Sequence, residues 1–204
     1  MEIEAFSNSE EIVVGVVSDT HVPDLANGLH PQLIPALKQE NVQLIFHAGD
    51  ICTPSVICSL EEVAPVIAVR GNRDFLFLDQ LPLVRQVELC GQRIVVMHGH
   101  RGWYTYLRDK FQNYIEGYRL DRYVPRLGEP FPEAAVIVFG HTHFAVSFLH
   151  GTQLFFNPGS AICKAGLKQR PSFGVLSISK QGVKGKHIIL EKAALRHRQW
   201  VTIF

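Results

Sequence analysis

The sequence predicts an α/β fold in which two β-sheets pack face to face with helices on the outside. Three observations point there. The first 70 or so residues alternate strand patterns with short helical ones, whereas the rest is dominated by hairpin patterns. In addition, Asp, Asn and His cluster just after five apolar runs, along the sheet edge where α/β folds place ligands.

Residues 12–17, Ile-Val-Val-Gly-Val-Val, form a continuous β-rich run that suits a buried strand. Residues 31–40 put Leu33, Ile34 and Leu37 on one helical face. The apolar run 42–46 holds the second strand, at 44–46. Residues 54–62 read as a second short helix with Pro54 in its first turn. Residues 66–69 are the third strand, and a β-α-β-α-β order implies parallel strands with right-handed crossovers. The pattern then changes. Residues 83–89 and 93–97 flank a Cys-Gly-Gln turn, and 144–149 and 153–156 flank a His-Gly-Thr turn. A third hairpin joins 173–178 to 184–190 around Gln181-Gly182. Between the first two hairpins, 136–139 is a further strand. No repeat, low-complexity tract or internal linker appears, so one domain over 1–204 is expected. The tail, 195–204, fits a closing strand, a frayed end or a homo-oligomer contact.

Composition narrows the function classes. With 204 residues, 47% of them apolar, the chain can bury a substantial core. A formal net charge of +1 argues against a large basic nucleic-acid surface. Cys52, Cys58, Cys90 and Cys163 show no CxxC spacing, which fits free thiols in a reducing compartment, although two disulfides remain open in an oxidising one. The acidic residues 1–11 lack a signal pattern, and no apolar run approaches the roughly 18 residues of a membrane span. A cytoplasmic protein with no membrane partner is the expectation.

The chemistry lies in five segments: Asp19-Thr20-His21, Gly49-Asp50, Gly71-Asn72-Arg73-Asp74, Met97-His98-Gly99-His100 and Gly140-His141-Thr142-His143. Four directly follow an apolar run, and Asp50 sits a little further past its strand. In extended geometry Asp19 and His21, like His141 and His143, point to the same side. Gly49 lets the chain turn sharply before Asp50, whose two oxygens can bridge two cations, while Asn72 offers a neutral oxygen. Two divalent ions bring four positive charges, and Asp19 and Asp50 cancel two of them. The remainder suits a phosphate ester and a bound hydroxide. Metals roughly 3.5–4 Å apart can clamp the attacking and leaving oxygens. A Cys-free ligand set disfavours structural zinc and fits manganese, iron, nickel or catalytic zinc. Taken singly, Asp-x-His or Gly-Asp is a common turn. Five such segments in this order are hard to obtain from turn chemistry alone.

The pattern DxH, GD, GNxD, H, GHxH from Asp19 to His143 resembles the calcineurin-like metallophosphoesterases. Asn157-Pro158-Gly159-Ser160 and the last strands extend the likeness to about residue 190. The short chain is most similar to the small YfcE-type phosphodiesterases. A vacuolar sorting subunit is a related non-enzyme branch of the fold. The resemblance implies a four-layer α/β/β/α sandwich and two divalent ions, manganese first among the candidates. It places Asp19, His21, Asp50 and His143 on one ion and Asn72, His98 and His141 on the other, with Asp50 bridging. Asn72, Arg73 and His98 would serve catalysis, and Asn72, Arg73 and His100 would contact a small phosphoester substrate. The implied reaction is attack of a metal-bound hydroxide on a phosphodiester. The alternatives are a phosphomonoesterase, a nuclease or a non-catalytic protein-binding scaffold.

Three departures stand out. Thr53 replaces the second Asp of a common Gly-Asp-x-x-Asp form, at a non-ligand position. Arg73 stands where larger relatives carry a His; it can stabilise an oxyanion but not donate a proton, and its plainer role is a surface pair with Asp74. Residues 101–132 form an insertion in which Trp103, Leu107, Phe111, Tyr114, Ile115 and Tyr118 recur at helical spacing. That helix faces the core, or caps the site, or makes a dimer contact. His47 reads as a core or orienting group, and His30, His150, His187 and His197 as surface residues.

Overall fold

A computed structural model describes residues 10–100, 127–162 and 170–203. Strand β1 (Glu11–Val17) is followed by helix α1 (Leu33–Gln39), strand β2 (Leu44–His47), helix α2 (Pro54–Glu61) and strand β3 (Val66–Ala68). Then come β4 (Val84–Leu89), β5 (Gln92–Met97), β6 (Val136–Phe139), β7 (Ala145–His150) and β8 (Gln153–Pro158). The chain closes with β9 (Ser172–Ser179), β10 (Gly182–Ile189), β11 (Ala193–Arg196) and β12 (Gln199–Thr202).

The strands form two mixed five-stranded sheets, ordered β10-β9-β1-β2-β3 and β4-β5-β6-β8-β7. The apolar runs at β1, β2 and β3 pair in parallel, with Val14 opposite Leu44 and Phe46 opposite Ile67. In the second sheet β5, β6 and β8 run parallel, and antiparallel β4 and β7 flank them. Period-two alternation decides which side chains meet. Ile12, Val14, Val16, Leu44 and Phe46 pack against Ile94, Val96, Val136, Val138 and Phe156 to form the core between the sheets. On the opposite face of the first sheet, Val17 and Ile45 meet Leu33 and Leu37 of α1 and Val56 and Leu60 of α2. The outer face of the second sheet, with Val95, Met97, Ile137 and Phe139, is covered by Leu127, Phe131 and Ala134.

The α/β class and the two face-to-face sheets are as expected. The predicted helix of the 101–132 insertion falls mostly on residues outside those described. β8 runs through Asn157 and Pro158, so the Asn-Pro-Gly-Ser segment leaves the strand only at Gly159. The tail is a hairpin, β11–β12, whose Trp200 donates its indole N–H to the Gly28 carbonyl at 2.8 Å and packs edge-on against His30. His30 is therefore buried, not a surface residue, and burial pushes its pKa down to about 4. His187, also expected at the surface, stacks on Phe156 and bonds the Asn157 carbonyl. Among the described residues no helix is long and apolar enough to cross a membrane.

Candidate metal centre

Parallel pairing puts the C-terminal ends of β1 and β2 side by side, and backbone bonds lock the loops that follow. The Asp19 N–H donates to the Gly49 carbonyl at 2.9 Å, and the His21 N–H to the Asp50 carbonyl at 3.0 Å. The second sheet reaches across at the same edge, where His98 Nδ1 lies 2.7 Å from the Ala48 carbonyl. That bond requires Nδ1 to carry the proton. A neutral His98 then aims its Nε2 lone pair inward.

Three glycines permit this approach. A Cβ on Gly71 would lie 2.2 Å from Asp50 Oδ1, and one on Gly140 would lie 2.0 Å from Ser18 Oγ. Gly49 takes φ +90° as the sharp turn requires, and a Cβ there would meet Gly71 N and His98 Nδ1 at 2.8 Å.

All seven expected donors converge. Nε2 of His143 lies 3.1 Å from Asp19 Oδ1 and 3.3 Å from His21 Nε2. Asn72 Oδ1 lies 3.1 Å from His98 Nε2 and 3.0 Å from His141 Nδ1. Between these groups sits Asp50, its Oδ2 3.7 Å from His21 Nε2 and its Oδ1 3.4 Å from His98 Nε2. The backbone does not follow the expected extended geometry. Asp19, His21, Asp50, His141 and His143 all have φ between 48° and 70°. This left-handed region is uncommon for residues other than glycine, and such strain gathers at functional sites.

Charge is set by burial against neighbours. Burial acts to raise Asp19, but His143, His98 and His21 outweigh it and hold the carboxyl below its ordinary value. Burial likewise works against Asp50, yet His98 brings it down to about 2. His98 rises to about 9: burial opposes its charge, and Asp50 and Asp19 overcome burial. The field that holds a proton on His98 is one that would hold a cation. Burial, then His98, lowers His141 to about 3 and His100 to about 4, so both imidazoles are neutral.

His100 is buried, its ring 5.3 Å from that of His98. The Arg73 backbone N–H donates to Asp50 Oδ1 at 2.8 Å, while its guanidinium pairs with Asp24 at 3.3 Å. The suggested Arg73–Asp74 surface pair is therefore absent. Asp74 is buried and accepts from Asp50 N, Ile51 N, Cys52 N and Gly71 N at 2.6–3.0 Å. It staples the Gly49–Asp50 loop to the Gly71–Asn72 loop, a role that the GNxD motif marks by position but does not reveal, because its partners are backbone groups. His47 is buried, accepts from the Gly49 N–H and meets Thr20 Oγ1, as an orienting group should. Asn157 donates to the Gly140 carbonyl and Ser160 to the Asp19 carbonyl, so that stretch braces two donor-bearing loops.

A family model for the calcineurin-like phosphoesterase superfamily domain matches residues 12–181. The chain belongs to that superfamily. A probable metallophosphoesterase of Methanothermobacter thermautotrophicus is 33% identical over 150 residues, which cover 73% of this chain and 77% of the relative. A phosphodiesterase of Methanocaldococcus jannaschii is 25% identical over 193 residues, covering 87% of this chain and 99% of that one. Among solved structures, vacuolar protein sorting 29 from Cryptosporidium parvum superposes with a TM-score of 0.63 at 19% identity, covering 96% and 97% of the two chains; at that identity it shows the fold alone.

For a calcineurin-like phosphoesterase, phosphoester chemistry and divalent metal use are implied, and the donor set fits. Asp19, His21 and His143 offer donor atoms within 4.8 Å of one another, as do Asp19, Asp50 and His98. Asp19 Oδ1 is buried and faces two imidazoles, yet among the described residues no donor meets it in hydrogen-bond geometry. An acceptor so placed is satisfied by a cation.

Proposed function

We propose that this chain is a dinuclear metal-dependent phosphodiesterase. The observation that carries the reading is Asp50, whose two oxygens face opposite halves of the donor cluster, one toward His21 and one toward His98. Asp19, His21, Asp50 and His143 would hold one ion, and Asp50, Asn72, His98 and His141 the other. Bound divalent ions would lower the pKa of a bound water and neutralise charge developing on a phosphate.

The chain's own groups complete the site. Asp74 fixes the two loops on which Asp50 and Asn72 ride, so neither carboxylate nor amide must reorganise as charge develops. The His98 ring is held by the Ala48 carbonyl, which keeps Nε2 inward. Asn72 and His100 would line the phosphate pocket. Arg73 would offer its guanidinium to a phosphate oxygen but cannot protonate a leaving group. Esters with good leaving groups, such as nitrophenyl esters, should therefore turn over best, and equal rates for alkyl and aryl esters would count against that role.

The test is hydrolysis of bis-p-nitrophenyl phosphate and of p-nitrophenyl phosphate by chelator-stripped protein, with and without manganese. Cleavage of the diester restored by manganese is the expected result. No turnover of either ester with manganese, nickel, iron or zinc would replace the enzyme with a binding scaffold.

A further inference from the structure

Two of the donor-bearing loops run straight into exposed aromatics. Beyond Asn72 and Arg73, the residues Phe75, Leu76 and Phe77 are 63%, 68% and 63% exposed, and Phe144, next to His143, is 42% exposed. Single exposed apolar residues are ordinary, whereas a run of three bulky ones leaves a contiguous patch outside water's preference. The run is not loose chain: Asp74 is pinned by four backbone N–H groups, the Leu78 N–H donates to the Asp74 carbonyl at 3.0 Å, and Leu78 itself is buried. The turn is thus held at both ends, and its apolar side chains stay out. Consecutive Cα atoms are about 3.8 Å apart, so Phe75 lies within about 12 Å of Asn72 and Phe144 within about 4 Å of His143. Both distances are in reach of a short substituent on a phosphate at the donor cluster. The guanidinium of Arg73, on the same turn, is half-exposed and held by Asp24.

From this we infer that the site takes amphiphilic phosphodiesters, with the charged phosphate at the donor cluster and Arg73 and an apolar aryl or alkyl arm lying on Phe75, Leu76 and Phe77. The inference rests on the phosphodiesterase reading above and names its substrate class. The occupant is the substrate's own arm because the patch is continuous with the donor loops and shares their turn with a cation suited to a phosphate.

The test holds the leaving group constant. Methyl, phenyl and octyl p-nitrophenyl phosphates all release nitrophenol, so differences among them report the arm that stays. With the manganese-loaded full chain, kcat/KM should rise by about ten-fold or more from the methyl to the octyl ester, carried mainly by KM, since each buried methylene contributes about 0.8 kcal/mol and an open rim buries only a few. The F75S/F77S double variant, altered only at exposed positions, should flatten that ratio while its circular dichroism and melting match the parent. Turnover blind to the arm, or an unchanged ratio in the double variant, overturns the inference and leaves the phosphodiesterase standing. Absence of metal-dependent turnover with every ester removes both. If the ratio is flat but the parent, unlike F75S/F77S, co-sediments with phosphatidylglycerol vesicles, the patch is a membrane contact and the substrate assignment is wrong.

Discussion

The two ends of the sandwich use left-handed backbone differently. At the hairpin tips of β4–β5, β7–β8 and β9–β10, positive φ falls on Gly91 with Cys90 beside it, on Gly151 and on Gly182, and a Cβ at any of these glycines would meet nothing within 4 Å. At the donor end, positive φ falls on Asp19, His21, Asp50, His141 and His143 as well as on Gly49, Gly99 and Gly159, while Gly71 and Gly140 serve close approach instead. The first end turns the chain at little cost. The second places bulky polar residues where glycine would be more comfortable, and crowds the backbone so that they meet. The strain is matched by buried anchors, chiefly Asp74, Asn157 and Ser160, whereas the β9–β10 tip is held by partly exposed bonds such as the Ser179 hydroxyl to the Gly182 carbonyl.

The sharpest break in that contrast is Asp50→Ala. It removes a carboxylate whose two oxygens face the two halves of the cluster, and metal-restored diester cleavage should fall to background with the fold intact by circular dichroism. Metal-dependent turnover in that variant would remove Asp50 as the bridge. Next is Asp74→Asn. Asparagine has one acceptor oxygen for four N–H donors, so urea unfolding should show a loss of about 3 kcal/mol or more. Isothermal titration should show weaker manganese binding as well, because both stapled loops carry donors. If binding holds while stability falls, the staple serves the fold alone. The glycines give the third comparison. Gly71→Ala forces a Cβ onto Asp50 and should cost about 1–3 kcal/mol together with metal affinity. Gly151→Ala meets open space and should cost about 1 kcal/mol of left-handed strain, leaving metal affinity unchanged. Similar metal affinities in the two variants would mean that the ends differ in packing only.

Much of this was legible in the chain, for a physical reason. Short, β-branched apolar runs such as 12–17 favour buried strands, and Asp, Asn and His at their ends carry their chemistry in their side chains. The motif therefore named the residues that meet. Its geometry was not legible: Asp19 and His21 meet through positive φ, not through the alternation of an extended strand. Roles that depend on distant or backbone partners were also hidden. Asp74 reads as half of a surface pair until four backbone amides turn toward it. His30 reads as exposed until Trp200 covers it from the far end of the chain.

The smallest effect expected is at Arg73, where the two kinds of anchoring meet: its backbone N–H holds Asp50, and its side chain leans on Asp24. The first contact survives any substitution that keeps the N–H, so Arg73→Ala should leave melting and manganese affinity unchanged, as for most exposed ion pairs. Loss of a charged donor to the phosphate should lower kcat/KM by about ten-fold. Lysine keeps the charge but not the planar fork, so Arg73→Lys should recover part of that loss. Asp24→Ala separates holding from contact, because it frees the guanidinium without removing it. If Arg73 acts from a fixed position, Asp24→Ala should raise KM toward that of Arg73→Ala. If parent, Arg73→Ala and Asp24→Ala all cleave the diester with the same kcat/KM, the guanidinium is a surface charge and only the amide of residue 73 belongs to the site.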